Sequence, residues 1–204
     1  MAGSYLLVAA VHRTAMYHDH LHQELLMSPA PRRDQAAAAL ASLGDEARLI
    51  QTLRSTNQEI RECARRALDT LWFSQEGVQA ARALLEADQA MKADRHDEAA
   101  ALLDALLEKH PGYADAWSRR ASLMWKMDRM GASKRDCEKA LKLNPLHYGA
   151  WLGLGMANLE MQNHEDAVRC LRMYLMIQPY DVRARRWLDQ CTAIARIEAR
   201  TRSR

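Results

Sequence analysis

The chain has 204 residues, a net charge of only +3 and 49% hydrophobic residues. Those values exclude a disordered chain and a molecule wrapped in one strong electrostatic field. Eight Gly and five Pro are few for this length, and Ala, Leu, Arg and Glu dominate, a balance that favours long helices over many-turned sheets. No run of about 18 apolar residues occurs, so no membrane-spanning helix is expected.

The N-terminal stretch 1–33 is read as an extension. Its apolar start, Tyr5 to Val11, is too short to span a bilayer, and no Lys or Arg precedes it as a secretory signal requires. The first acidic residue is Asp19, which leaves a chloroplast or mitochondrial address open beside the expected cytoplasmic one. Leu21, Leu25 and Leu26 predict a short helix, and Ser28 to Arg33, with two prolines, predicts an extended linker. His18, His20 and His22 invite a metal reading, but only His18 and His22 share a helical face and no HExxH or CxxC accompanies them. A solvated polar face is expected there, with no metal and no cofactor.

Residues 34–79 follow as a helical pair. Ala36 to Asp45 ends at Gly44, a suitable helix stop. After a polar turn, Ile60, Cys63, Ala64, Ala67, Leu68 and Leu71 mark one helical face. The text from Leu49 to Leu71 resembles a HEAT repeat, with Asn57, Glu59, Ile60 and Arg61 opening the second helix. Trp72 and Phe73 are expected at a hinge between this part and the next.

The second half repeats itself. Pro111, Pro145 and Pro179 are 34 residues apart, and Trp117 and Trp151 keep the same interval of 34. Small residues recur in register at Ala87 and Ala99, at Ala121, Ser133 and Ala140, and at Gly155 and Ala167. Leu103, Leu107, Leu141, Leu171 and Leu175 fill the spaces between. Each proline follows the second helix of a pair and stops it, because it lacks an N–H donor and clashes with the preceding turn. Turns inside the pairs are expected near Asp94-Arg95, Arg129-Gly131 and Gln162-Asn163.

On these residues the segment resembles the tetratricopeptide-repeat family over about 100 residues, with repeats at 80–113, 114–147 and 148–181. The resemblance implies an all-α fold, a right-handed α–α superhelix with the HEAT-like part before it. There are departures: Leu106 and Tyr174 stand at positions that are usually small, Met124 and Asn158 replace Tyr, Arg120 replaces Leu, and Ala83 stands where the Trp recurs. Residues 182–204 are expected to form a capping helix, with Trp187, Leu188, Cys191 and Ile194 on one face, and an Arg-rich tail.

The resemblance also implies where a partner would bind. The first helices of the repeats line a concave groove in this family. Carried onto this chain the lining is Leu84, Asp88, Met91 and Lys92; then Ser118, Arg119, Ser122, Trp125 and Lys126; then Leu152, Gly153, Met156 and Leu159; with Arg183 and Trp187 continuing it. That is an apolar strip with basic flanks, suited to a protein partner presenting a peptide or helix. Co-chaperones of this family hold a terminal carboxylate with Lys, Asn and Arg at positions that here carry Leu84, Asp88, Arg119, Gly149 and Gly153, so that clamp is not expected. The alternative is a subunit or assembly factor that docks through its outer surfaces and through the basic tail, where nucleic acid or an acidic surface could be touched.

No GxxxxGK, GxGxxG or GxSxG pattern occurs, and no enzyme is expected. The four cysteines are widely spaced and read as buried thiols of a reducing compartment.

Overall fold

The computed structural model describes the backbone of residues 2–202 and the side chains of residues 14–201. The apolar side chains of Tyr5 to Val11 and the end of the tail therefore lie outside the described residues. Eleven helices follow one another among the described residues: α1 Ala2–Met27, α2 Ala30–Ser42, α3 Glu46–Thr52, α4 Gln58–Phe73, α5 Gly77–Lys92, α6 His96–Lys109, α7 Ala114–Lys126, α8 Met130–Leu143, α9 Tyr148–Glu160, α10 His164–Ile177 and α11 Val182–Arg202. The chain separates into two compact units, 1–71 and 72–204, with the division in the last turn of α4.

In the first unit α2 packs on α1 and α3 around Leu21, Leu25, Leu40, Leu49, Leu53 and Leu68, all nearly inaccessible. The expected linker is not extended. Only Ser28 and Pro29 separate α1 from α2, and Pro29 caps α2 with φ −63° and ψ 161°. A proline is tolerated in the first turn of a helix because its missing N–H has no helical partner there anyway. The expectation of a solvated histidine face is overturned as well. His18 Nδ1 lies 2.6 Å from Asp45 Oδ2, and His22 Nε2 lies 3.0 Å from Thr52 Oγ1, so both tie α1 to α3. His20 alone stays exposed, 3.8 Å from Glu24. Across α2 and α4, Arg66 pairs with Asp34 at 2.9 Å, and the Cys63 thiol donates to the same carboxylate at 3.1 Å.

The second unit stacks its helices in sequence order, α5 to α11. Every small residue of the repeat register is buried: Ala87, Ala99, Ala121, Ser133, Ala140, Gly155 and Ala167. At Gly155 a Cβ would meet Leu171 at 3.3 Å, which shows how closely α9 and α10 approach. Leu103, Leu107, Leu141, Leu171 and Leu175 are buried beside them, so the all-α repeat architecture stands.

The intra-repeat turns share one geometry. Asp94, Asp128 and Gln162 take φ of 56°, 58° and 58°, and the following residues Arg95, Arg129 and Asn163 donate their N–H to Ala90, Met124 and Asn158. This is the left-handed helix stop, formed here without glycine. The second turn sits one step earlier than expected, since Gly131 lies inside α8.

Three departures from the family pattern, Arg120, Asn158 and Tyr174, are accommodated by polar bonds. Arg120 pairs with Asp136 at 2.8 Å and Asp104 at 2.7 Å, and its guanidinium stands 4.5 Å from the Trp117 ring centroid. One residue thus links α6, α7 and α8. Asn158 is buried, donates to Leu154 O at 2.9 Å and accepts from Lys134 Nζ at 3.1 Å. Tyr174 donates its hydroxyl to Asp181 at 2.7 Å.

The register continues into α11. The indole N–H groups of Trp117 and Trp151 donate to Pro111 O and Pro145 O, and Arg185 donates to Pro179 O at the corresponding place. Ala116, Ala150 and Ala184 are fully buried in the same order. The last helix covers the open end of the array with Ala184, Trp187, Leu188 and Cys191, and His164 holds Glu198 at 2.8 Å. Ile194 is not on that face. It is 41% exposed, because the buried positions advance as 184, 188, 191 along the helical period.

Candidate interaction surface

The residues expected to line a groove occupy one helical face per repeat, at intervals of three and four: 84, 88 and 91 on α5, 118, 122 and 125 on α7, and 152, 156 and 159 on α9. The structure divides them. Leu84 is fully buried and Met91 is buried to 8% exposure, both inside the core of the first repeat with Leu103, Leu107 and Tyr113. These two are corrections: they are core residues, clustered with Ala80, Ala87 and Ala90, and not an open lining. Ser118 is likewise buried.

Asp88 and Arg119 pair with each other at 3.1 Å, and Arg119 also reaches Asp115 at 3.4 Å. Their charges are spent internally. Burial raises the Asp88 carboxyl above the usual carboxylate range, with Arg119 opposing it.

Sequence reasoning missed the aromatic group that adjoins Asp115. Trp72, 4% exposed, stacks on His147 with ring centroids 4.5 Å apart and planes at 20°, and leans on Tyr148 at 5.0 Å. His147 is the N-cap of α9: its Nδ1 accepts the Ala150 N–H at 3.2 Å. Nδ1 is therefore unprotonated and Nε2 carries the hydrogen, which it donates to Asp115 Oδ1 at 3.3 Å. Asp115 is buried and its Oδ2 has no hydrogen-bond partner. Burial pushes this carboxyl up, but the His147 bond and the Arg119 charge outweigh it and hold it low. The adjacent Phe73 carbonyl accepts the hydroxyl of Tyr113. Trp72 and Phe73 thus belong to the packing of the repeat unit. A signal for the arrangement was present: Tyr113, His147 and Asp181 are 34 apart and each precedes a first helix.

The other expected lining residues differ in exposure. Ser122, Trp125 and Lys126 on α7 are exposed, Trp125 to 40%. Met156 and Leu159 on α9 are half-buried, with Leu159 resting on the core of the third repeat. Lys92 and Arg183 are exposed at the flanks. Leu152 and Trp187 are half-buried against that same core. At Gly153 a Cβ would stand 3.0 Å from Cys137 Sγ, so this position faces α8. Of the expected lining on α7 and α9, Ser122, Trp125 and Lys126 thus keep exposed side chains and Met156 and Leu159 partly accessible ones.

Burial pushes the Cys137 thiol up to about 12 and the Cys170 thiol to about 11; all four cysteines are buried and free. Among the described residues no cluster of His, Cys, Asp and Glu has the arrangement of a metal site, and no helix is long and apolar enough to cross a membrane.

The model of the tetratricopeptide-repeat family matches residues 84–133 and 125–182. A TPR repeat-containing protein of Rhizobium etli is 32% identical over 95 residues, 47% of this chain and 47% of the relative. The chain spans about half the length of that curated relative. Among solved structures, the first TPR of Spaghetti (RPAP3) bound to the HSP90 peptide SRMEEVD superposes with a TM-score of 0.56 at 21% identity, over 60% of this chain and 94% of that one. The Sgt2 TPR domain from Aspergillus fumigatus gives 0.55 at 19%, over 60% and 82%. MamA gives 0.53 at 18%, over 76% and 80%. At these identities the structural likeness is one of fold.

Proposed function

We propose, on the premise that this chain is a tetratricopeptide-repeat protein through residues 84–182, that it is an interaction scaffold gripping a peptide or helix of a partner protein on the strip of Ser122, Trp125, Lys126, Met156 and Leu159. The exposure of Trp125 carries the reading. A large aromatic left 40% accessible on α7, with partly accessible Met156 and Leu159 on α9, a helix that α7 contacts, is the composition of a contact hot spot, and Lys126 adds a charge on the same helix. No catalytic role is proposed: Asp88, Asp115 and Arg119 are engaged with one another, and the thiols are held protonated by burial.

The same geometry argues against a terminal-carboxylate clamp. Leu84 is buried, Asp88 already holds Arg119, and Gly149 and Gly153 supply no donor side chain. The peptide SRMEEVD, which RPAP3 carries in its solved complex, is expected to bind this chain equally whether its C-terminus is free or amidated. A marked preference for the free acid, lost on Arg119→Ala, would restore the clamp.

The groove reading is tested by comparing partners captured by the wild type and by Trp125→Ala/Met156→Ala, with radical footprinting of Trp125 in the captured complex. Loss of partners from a variant that stays helical and monodisperse, together with protection of Trp125, supports it. Unchanged capture, or a Trp125 that remains fully reactive in the complex, overturns it.

A further inference from the structure

A cleft of about 330 Å³ lies between α10 and α11, lined by Glu165, Val168, Arg169, Arg172, Thr192, Ala195 and Arg196. Three guanidiniums face it against one carboxylate. Arg169 is held by Asp166 on its own helix, while Arg172 and Arg196 are exposed and carry no ion pair or hydrogen bond among the described residues. The Thr192 hydroxyl donates to Leu188 O at 2.7 Å, so the guanidiniums are the donors the cleft presents. The His164–Glu198 bond at 2.8 Å and the Cys191 core contact fix α11 against α10, which keeps the two free arginines on facing walls.

We propose that this cleft is an anion site for the carboxylates of an acidic segment of a partner protein. Two unpaired guanidiniums on opposite helices match carboxylates in the bidentate geometry that favours Arg over Lys. Val168 and Ala195 give the lining an apolar part for the methylenes of Glu side chains. No aromatic side chain lines the cleft, so it has no platform for stacked bases. Glu165 in the wall disfavours an unbroken row of phosphates while leaving room for spaced carboxylates. The site is separate from the Trp125 strip, being built from the second helix of the third repeat and the capping helix.

The probe is a fluorescein-labelled hexaglutamate peptide, titrated by anisotropy into the full chain at low salt. Arg172→Glu/Arg196→Glu is expected to weaken binding at least about tenfold, and Arg172→Gln/Arg196→Gln to weaken it in the same direction. Arg129→Glu/Arg135→Glu, which changes net charge equally away from the cleft, is expected to move it less than about twofold. Trp125→Ala/Met156→Ala leaves it unchanged, which separates this site from the groove. Equal losses from both charge reversals, or no binding at all, would overturn the proposal. So would a labelled single-stranded oligonucleotide or phosphatidylserine vesicles that bind more tightly than hexaglutamate and depend on Arg172 and Arg196.

Discussion

Trp72 and His147 stack face to face, 4.5 Å between ring centroids, although 75 residues separate them in sequence. The stack places a tryptophan from the end of α4 on the cap of α9, and through Asp115 and Arg119 it reaches Asp88 on α5. These contacts tie the end of α4 to α5, α7 and α9. Trp72→Ala is expected to destabilise the repeat unit by about 3 kcal/mol, the usual cost of emptying a buried tryptophan site. The measurement is urea unfolding followed by circular dichroism, with hydrogen exchange of α7 and α9. Unchanged exchange there would show that the stack adds nothing to the array.

Gln162 holds φ of 58° at the turn between α9 and α10, a conformation that costs a residue with a Cβ about 1 kcal/mol and glycine nothing. Gln162→Gly is expected to stabilise the third repeat by roughly 0.5–1 kcal/mol, seen as a higher urea midpoint with the slope unchanged. Gln162→Val should lower the midpoint.

Arg120 stands where the family usually has Leu, and Asp136 is buried beside it, its side chain 9% accessible. Arg120→Leu alone would strand that carboxylate and is expected to cost about 3 kcal/mol. Arg120→Leu/Asp136→Leu should recover most of the loss, since a matched apolar pair needs no compensation. A double variant as unstable as the single one would show that the link to Asp104 and the stacking over Trp117 matter more.

His22 is buried between α1 and α3. Thr52 already donates its hydroxyl to Arg48 O, so His22 Nε2 donates to Thr52. Burial, with the Arg48 charge, holds its pKa below the ordinary value of 6.5. As pH falls through 6.5 the unfolded chain takes up the proton first, so stability is present above that pH and declines below it. Hydrogen exchange of α1 and α3, corrected for intrinsic rates, should show less protection at pH 5.5 than at pH 7.5. The difference should shrink in His22→Gln. Asp45, held low against its burial by its bonds to His18 and Arg48, contributes stability throughout this window and loses it only as pH falls below the ordinary carboxylate range.

By itself the sequence determined the period, the helix pairs and the buried small residues, because proline stops, close helix contacts and apolar spacing are local constraints written at fixed intervals. The capping helix was legible for the same reason, down to Cys191 and Trp187, with Ile194 misplaced by drift of the helical period. The prolines at 29 and 31 misled, since the same residue that extends a linker also opens a helix. The inner face was only partly legible. Tertiary structure alone decided that Leu84 and Met91 are core, that Asp88 and Arg119 neutralise each other, and that Trp72 stacks on His147. Those outcomes depend on which side chains from distant turns arrive at the same place, and a 34-residue register fixes positions along each helix without fixing what packs against them.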